Sequence, residues 1–190
     1  MNEKLSIARI FYPVKTLGPG NRVGVWTTGC SRQCPGCISP ELQFYDEEKE
    51  LDVEAVIEMI CSITHPIDGF TISGGEPFRN PKALNALVLQ LAAINDDILI
   101  YTGHTLNELR QFSMKEIDSI LNTCAVLIDG PYIEELNNNC GLKGSSNQSV
   151  HIFRHHDKYK GYEKQERRIQ NVAYGNGMLM IGIPRRNSDD

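Results

Sequence analysis

The chain has 190 residues, a length that suits one domain with a sizeable core. Hydrophobic residues make up 41% of it and charged residues 23%, as in an ordinary globular protein. The formal net charge of −5 argues against a nucleic-acid groove or an anionic membrane surface as the main partner. No apolar run approaches the roughly 18 residues of a membrane span, and residues 1–5 lack the apolar core of a secretory signal. We therefore expect a cytoplasmic protein that binds neither nucleic acid nor membrane.

Two strands are predicted at the start of the chain. Residues 6–11 alternate polar and apolar side chains, which indicates a first strand. A turn rich in glycine and proline at residues 17–21 is followed by an apolar stretch at 22–27, which predicts a second strand. This strand leads into a loop rich in cysteine. The charged residues 46–50 predict a solvated connector.

Helices and strands alternate from there to residue 130. A helical apolar face covers residues 53–60 with Asp52 placed to cap it, and Asn80 precedes the first-turn proline of a second helix. Capping-box spacings at residues 105–108 and 113–116 predict two further helix starts. The strands predicted among these helices cover residues 69–73, 97–102 and 124–128. The alternation predicts βα units around a parallel sheet that is either open or curled into part of a barrel.

The pattern becomes less regular after residue 130. Residues 137–149 predict a polar loop and residues 150–153 a short strand. The charged residues 155–170 predict a mobile surface loop. Residues 178–183 predict a last strand before a polar tail at 185–190.

Cys30, Cys34 and Cys37 form a C-x3-C-x2-C set in the predicted loop. Such crowding of thiols is typical of a metal site, and the Pro-Gly between the last two cysteines allows a tight turn. A closed structural site normally has four protein ligands. One metal position therefore stays open unless another thiolate joins the set.

The other three cysteines are scattered, which argues against a disulfide framework. Cys61 and Cys124 lie in apolar contexts and are predicted to be buried, inert thiols. Cys140 lies in a polar loop, and its role stays open. The single tryptophan, Trp26, is predicted to belong to the core or to shield a bound metal.

Glycine-bearing segments follow several of the predicted strands, as the cysteine loop does. These segments are residues 73–77, 102–103 and 129–131. Because the carboxyl ends of parallel strands meet at one edge of a sheet, we expect a single site there. Gly74 and Gly75 would expose backbone groups to a closely approaching ligand, and the Glu76 carboxylate suits an ammonium group. A strand-end turn without a ligand is the alternative.

The cysteine set followed by Gly-Gly-Glu-Pro at residues 74–77 resembles the radical S-adenosylmethionine (SAM) enzyme superfamily. More narrowly, Gly-Pro-Gly-Asn-Arg at 18–22 and Cys-Pro-Gly-Cys at 34–37 resemble the activating proteins of anaerobic ribonucleotide reductase. Further segments that fit this family are Tyr-Thr-Gly at 101–103, Asp-Gly-Pro at 129–131 and Gly-Ser-Ser-Asn-Gln at 144–148. The resemblance covers residues 5–155.

With the βα pattern, this resemblance implies an α/β fold: a partial (β/α) barrel with a curled, mostly parallel sheet. It implies a single radical SAM domain over residues 1–190, with a core at 5–155 and a C-terminal extension at 156–190. It also implies a 4Fe-4S cluster held by the three loop cysteines, with SAM chelating the fourth iron through its amino and carboxylate groups.

The implied reaction needs a one-electron reductant such as flavodoxin or ferredoxin. The reduced cluster splits SAM into methionine and a 5'-deoxyadenosyl radical, which takes a hydrogen atom from a backbone glycine of a partner enzyme. That partner is a glycyl-radical enzyme, expected to be anaerobic ribonucleoside-triphosphate reductase.

The resemblance also implies roles for individual residues of this chain. Gly74, Gly75 and Glu76 would contact the amino-acid part of SAM. The backbone near Gly36 and Ile38 would border its adenine.

Thr102 and Asp129, at successive strand ends, are further candidates for the rim of the SAM site. Residues 144–148 would shape the site or the surface that docks the partner. The family often has aspartate where Glu76 stands and an aromatic residue where Leu142 stands. The first departure keeps the carboxylate, and the second leaves the partner or substrate open.

Two other functions are compatible with parts of the sequence. A radical SAM enzyme could act on a small molecule or peptide, although the remaining cysteines lack the spacing of an auxiliary cluster. A zinc-bound interaction module would explain the C-x2-C but leaves residues 74–77 and 144–148 without a purpose.

His104, which follows Gly103, could also enter the site.

Overall fold

The computed structural model describes residues 3–175 and 177–185 of the chain. The strands in this part are β1 (Lys4–Val14), β2 (Arg22–Thr27), β3 (Glu50–Asp52), β4 (Gly69–Gly74), β5 (Ile98–Tyr101), β6 (Val126–Asp129), β7 (Ser149–Ile152), β8 (Ile169–Tyr174) and β9 (Gly177–Gly182). The α-helices are α1 (Val53–Cys61), α2 (Pro81–Ile94), α3 (Leu106–Gln111), α4 (Lys115–Thr123) and α5 (His156–Tyr159).

Seven strands form one sheet in the order β3-β1-β2-β4-β5-β6-β7. The four central strands, β2, β4, β5 and β6, are parallel, while β1, β3 and β7 pair antiparallel at the two sides. This confirms the predicted α/β fold with a parallel centre. The order runs from β3 to β7 without the two pairing, so the described strands do not form a closed barrel. β8 and β9 form a separate antiparallel hairpin.

The central strands are buried because helices α1–α4 cover one side of the sheet, and the β8–β9 hairpin, Leu142 and Tyr159 pack on the remaining strand residues. Parallel strands joined by helical crossovers are packed on both faces and consist of nearly continuous apolar residues. Leu84, Leu87 and Leu91 on one face of α2 are fully buried in the same cluster as Ile72 of β4 and Ile100 of β5. None of the described helices is both long and apolar enough to cross a membrane.

Two of the predicted helix starts are made as expected. The Asn80 side chain accepts a hydrogen bond of 3.3 Å from the N–H of Ala83. Thr105 and Glu108 form a complete capping box at the start of α3. Asp52 stands at the N-cap of α1, but its side chain makes no capping bond.

The capping box predicted for Ser113 with Glu116 is wrong. Met114 occupies the N-cap of α4 and makes no side-chain capping bond. Ser113 has a φ of +51°, a left-handed conformation that L-residues seldom adopt. Its hydroxyl donates back to the Gln111 carbonyl at 3.4 Å, so it serves the turn between α3 and α4 instead.

The C-terminal part is more ordered than its charge suggested. The predicted loop at residues 155–170 contains α5, and its end already belongs to β8, so that prediction is wrong. The charged connector also runs into β3, which pairs with β1. The predicted last strand is confirmed as β9. Of the polar tail at 185–190, all but Arg185 lies outside the described residues.

A buried ion pair holds the N-terminal edge of the parallel strands, opposite the cysteine loop. Arg22 is fully buried, with its Nη1 3.2 Å from Asp97 Oδ1, and its Nε donates to Thr71 Oγ1 at 2.8 Å. From α5, Lys158 pairs with Asp97, and the Tyr159 hydroxyl donates to it at 2.5 Å. One carboxylate therefore connects β2, β5 and α5.

The pKa of Asp97 follows from this environment. Burial alone would raise it, but the Arg22 guanidinium, with Lys158 and Tyr159, holds the pKa of the Asp97 carboxyl below its usual 3.8. A carboxyl with a depressed folded-state pKa stabilises the fold above its unfolded pKa and loses that contribution as the pH falls through the folded value.

Replacing Asp97→Asn should lower the free energy of unfolding by about 3–5 kcal/mol at neutral pH, because Arg22 is left buried without its carboxylate. Urea unfolding of both proteins measures this loss. The difference should shrink as the pH falls from 3.8 through the lower folded-state pKa, because folded wild-type Asp97 becomes protonated in that range. Glu166→Gln, whose carboxylate is exposed and pairs with Arg185, is the control and should change little. Equal losses in the two variants would contradict the role given to Asp97.

Candidate functional site

The cysteine loop begins at the C-terminal end of β2. Main-chain N–H groups of Gly29 and Cys30 donate to the carbonyls of Leu42 and Gln43 at 2.9 and 2.8 Å. Leu42 is buried and packs in a cluster with Trp26. The entry to the loop is therefore fixed to the segment that leaves it, and Trp26 belongs to the core, as predicted.

Arg32, between the first two cysteines, ties the loop to α3. Its Nη2 donates to Glu108 Oε2 at 2.7 Å and lies 2.9 Å from His104 Nδ1. The bond from Arg32 and the main-chain N–H of Thr105 lower the pKa of Glu108 to about 2. Glu108 therefore caps α3 and holds the loop with one carboxylate. Only the capping half of this arrangement could be predicted from the sequence.

The last two cysteines enclose a tight turn, as their spacing suggested. The N–H of Cys37 donates to the Cys34 carbonyl at 3.2 Å. Gly36 has a φ of +67°, and a Cβ on it would lie 2.5 Å from a carboxylate oxygen of Glu134. The left-handed backbone conformation favours glycine here, whereas the Glu134 side chain could move to relieve the close contact.

All three loop cysteines are free thiols that are partly exposed. Burial raises the pKa of Cys30, and the neighbouring Glu76 and Cys34 add to that rise. Within residues 3–175 and 177–185, no three cysteine, histidine or acidic side chains are already arranged to hold a metal ion. Three soft thiol donors on one loop nevertheless fit an iron–sulfur cluster, which would draw the sulfurs together on binding.

The Gly-Gly pair packs β4 against the start of the cysteine loop. The N–H groups of Gly75 and Glu76 donate to the carbonyls of Thr27 and Gly29 at 2.9 and 2.8 Å. A Cβ on Gly74 would overlap Thr27, and one on Gly75 would lie 2.5 Å from the Gly29 oxygen. These two amides consequently face the protein and not a ligand. The glycines are needed for the contact between strand end and loop.

Glu76 is buried, with 2% of its surface exposed, and its carboxylate collects donors from two strand ends. Oε1 accepts from Phe78 N–H at 3.0 Å and from Thr102 Oγ1 at 2.8 Å, and Oε2 accepts from Gly103 N–H at 2.8 Å. Burial raises the pKa of Glu76, while His104 and these hydrogen bonds oppose the rise. A carboxylate has about four acceptor positions, so about one is left for a further donor.

Asp129 lies at the end of β6 and is also buried. Its Oδ2 accepts from Leu106 N–H at 2.5 Å, and its Oδ1 accepts from Ser149 N–H at 3.2 Å. His151 Nε2 lies 3.0 Å from Oδ2. The carboxylate thus holds the starts of α3 and β7 together.

Two cavities flank the C-terminal edge of the parallel strands. Gly36, Cys37 and Ile38 line a cavity of about 680 Å³, together with Trp26 and Tyr101. Glu76 lines a different cavity of about 400 Å³. The predicted site residues therefore share one edge of the sheet but are divided between two cavities.

Residues 144–148 form one hydrogen-bonded unit with the chain that follows β6. Gln148 Oε1 accepts from Gly144 N–H at 2.7 Å, and its Nε2 donates to the Gly130 carbonyl at 2.7 Å. Asn147 Nδ2 donates to the Pro131 carbonyl at 2.8 Å. Gly144 and Gln148 both line the larger cavity, so this unit forms part of its wall.

The three remaining cysteines lie in different environments. Cys61 is exposed, so its predicted burial is wrong: it ends α1 on the side away from the buried Ile60. Cys124 is fully buried, as predicted, and burial raises its pKa to about 12. Cys140 is partly buried and forms an isolated bridge with Glu166.

Alkylation of the native protein under anaerobic conditions should separate these thiols. Iodoacetamide should modify Cys61 rapidly, whereas Cys124 should resist until the chain unfolds, because both access and thiolate formation are suppressed. Mass spectrometry of quenched samples measures the two rates, and a urea-unfolded sample is the control. Comparable rates in the native protein would contradict the burial of Cys124.

Comparisons with known proteins agree with the cysteine motif. A family model described as a 4Fe-4S single cluster domain matches residues 16–151. The anaerobic ribonucleoside-triphosphate reductase-activating protein of Salmonella typhimurium is 32% identical over 154 residues, which cover 76% of this chain and 97% of that protein. The protein of the same name from Escherichia coli K12 is 31% identical over 156 residues, with the same coverage of 76% and 97%.

A more distant relative comes from a virus. The protein of that name from Enterobacteria phage T4 is 30% identical over 139 residues, or 70% of this chain and 85% of the phage protein. The family match ends before β8, so the C-terminal hairpin lies outside it. The chain belongs to the family of anaerobic ribonucleoside-triphosphate reductase-activating proteins, with a domain of the 4Fe-4S single cluster type.

Proposed function

We propose that this chain activates an anaerobic ribonucleoside-triphosphate reductase by taking a hydrogen atom from a glycine of that partner. One observation carries the proposal: a loop with three free thiols, one short of a closed metal site, packs directly against the strand end that carries Glu76. Cys30, Cys34 and Cys37 would hold a 4Fe-4S cluster. When bound, the cluster and SAM supply the reductive cleavage of a carbon–sulfur bond that gives a carbon radical.

Glu76 would bind the ammonium group of SAM through its remaining acceptor position. The Phe78 and Gly103 amides and the Thr102 hydroxyl fix the orientation of the carboxylate. Thr102 therefore acts through Glu76. Asp129 would act less directly, since its carboxylate holds the start of α3 at the edge of the site.

Gly36 and Ile38 would border the adenine on the wall of the larger cavity. Ile38 is 49% exposed, which leaves an apolar surface available to a flat ring. Gly74 and Gly75 support binding by letting β4 approach the cysteine loop closely. Trp26 and the apolar residues around it would keep water from this end of the cavity.

In this proposal the whole chain forms one domain, and its sheet curls as a partial barrel around the site. The proposal also includes a one-electron donor of the flavodoxin or ferredoxin class. The match to a 4Fe-4S domain argues against a zinc-bound interaction module. The names of the relatives favour a protein partner over a small molecule as the hydrogen donor.

Glu76→Gln should weaken SAM binding about tenfold or more, because hydrogen bonds to charged groups contribute about 1.5–3 kcal/mol. Titration of cluster-loaded protein with SAM measures the dissociation constant. Glu54→Gln makes the same chemical change on the exposed side of α1 and is the matched control. Unchanged affinity in Glu76→Gln, with intact cluster content, would remove Glu76 from the SAM site.

Glycyl-radical formation tests the function itself. Reduced protein, SAM and the reductase of the same organism should give a glycyl doublet in the electron paramagnetic resonance spectrum. Cys34→Ala should lose both bound iron and the doublet, because a cluster site with two thiolates is incomplete. Cys61→Ala removes an exposed thiol outside the loop and should retain both signals.

The possible failures have different meanings. Iron and SAM cleavage without a doublet would keep the cluster assignment but reject the glycine of this partner as the hydrogen donor. Retention of the cluster in Cys34→Ala would reject the assignment of the loop cysteines.

A further inference from the structure

The strand β9 borders the larger cavity in an unusual way. Residues 179–182 of β9 all line it, as do the three residues that follow. Successive side chains of a strand point to opposite faces, so one face can offer only every second residue to a cavity. A run of consecutive lining residues indicates that the strand meets the cavity edge-on. In the described part of the chain, β9 pairs only with β8, so this edge is open to a further strand.

The hairpin is held firmly against the end of β1. Gln170 Nε2 donates to the Pro13 carbonyl at 2.8 Å, and its Oε1 accepts from Lys15 N–H at 3.0 Å. Thr16 Oγ1 donates to the Ile181 carbonyl at 3.1 Å. These bonds connect segments more than 150 residues apart in the sequence and position β8 and β9 beside the site.

Arg167 attaches the hairpin to the other wall of the cavity. Its guanidinium donates to four main-chain carbonyls: Cys140 at 3.0 Å, Pro184 at 2.7 Å, Lys143 at 2.6 Å and Gly144 at 2.9 Å. Only 7% of Arg167 is exposed. The residues after β9 and the segment that begins at Gly144 are therefore fixed relative to one another, and the open edge is preformed.

The polar groups of the cavity suit a neutral hydrogen-bonding ligand. The hydroxyl oxygen of Tyr101 is buried and has no hydrogen-bond partner among the described residues. The charged side chains that line the cavity are balanced: Arg9 and Arg185 against Glu41 and Glu134. Such a lining offers no excess positive charge to a polyphosphate. A peptide backbone, in contrast, supplies hydrogen-bond partners for the unpaired N–H and C=O groups of an open strand edge.

We propose that the open edge of β9 binds an extended, glycine-bearing segment of the partner by strand addition. Only the identity of the partner rests on the proposed function above. Main-chain hydrogen bonds to the edge would give affinity, and they would hold the segment beside Cys37, which lines the same cavity. Glycine suits the position nearest the cysteine loop, since it brings no side chain between its α-carbon and the cavity wall.

Peptide binding to the wild-type protein tests the proposal. The probe is a synthetic peptide that copies the glycine-bearing segment of the partner reductase. Trp26 lines the cavity and is the single tryptophan, so its fluorescence reports occupancy without a cluster or turnover. A set of peptides with one N-methylated amide each then removes the backbone donors one at a time.

Strand addition predicts a period of two in this series. Methylation of an amide that donates to β9 should weaken binding about tenfold, while methylation of its neighbours, which point away from the edge, should change little. These neighbours are matched controls of identical composition. Hydrogen exchange should also slow in β9 on peptide binding and stay unchanged in α4.

Other outcomes would overturn the proposal. Uniform weakening along the peptide, or no exchange protection in β9, would exclude strand addition. If the edge of β9 instead pairs with a second copy of the chain, sedimentation should show a stable dimer. The peptide should then neither bind to this dimer nor dissociate it, which would overturn the proposal. Periodic binding without a glycyl doublet would leave the docking edge in place and reject the proposed function. A glycyl doublet without a period of two in the peptide series would support the proposed function and reject strand addition at β9.

Discussion

The site depends on two main-chain hydrogen bonds that join the end of β4 to the start of the cysteine loop. They run from Gly75 and Glu76 to Thr27 and Gly29, and they form only because glycine at 74 and 75 allows the two backbones to approach so closely. This contact sets the distance between the loop and the Glu76 carboxylate. A side chain on either glycine would separate the thiols from the Glu76 carboxylate, which accepts hydrogen bonds from residues that follow β4 and β5.

The adjacency of these segments could be predicted from sequence, because parallel strands place their C-terminal ends at one edge. The environment of each side chain could not. Glu76 reads as a free carboxylate in the sequence, yet its neighbours occupy most of its acceptor positions. Asp129 shares the edge but faces α3 and β7. Which face a strand-end residue takes depends on tertiary packing, and a local motif does not encode it.

Of the C-terminal hairpin, β9 was predicted but β8 was not, and the reason is a different one. β8 has few large apolar residues, and the charged stretch before it resembles a solvated loop. Its position comes from long-range polar contacts, such as those of Gln170 with β1 and of Arg167 with main-chain carbonyls. Pairings of this kind leave no periodic signal. Cys61 shows the same limit on a smaller scale, since an apolar neighbourhood in the sequence did not reveal the side of α1 on which it lies.

The attachment of Arg167 to backbone oxygens has a consequence for how this protein can diverge. Every residue type supplies the same carbonyl, so the side chains at Cys140 and Lys143 can change while these bonds to Arg167 persist. An anchor made of paired side chains would instead need compensating changes at two positions. The hairpin can therefore keep its position while side chains of the loop that Arg167 binds adapt to a different partner. The wall of the cavity can then change in evolution without losing its attachment.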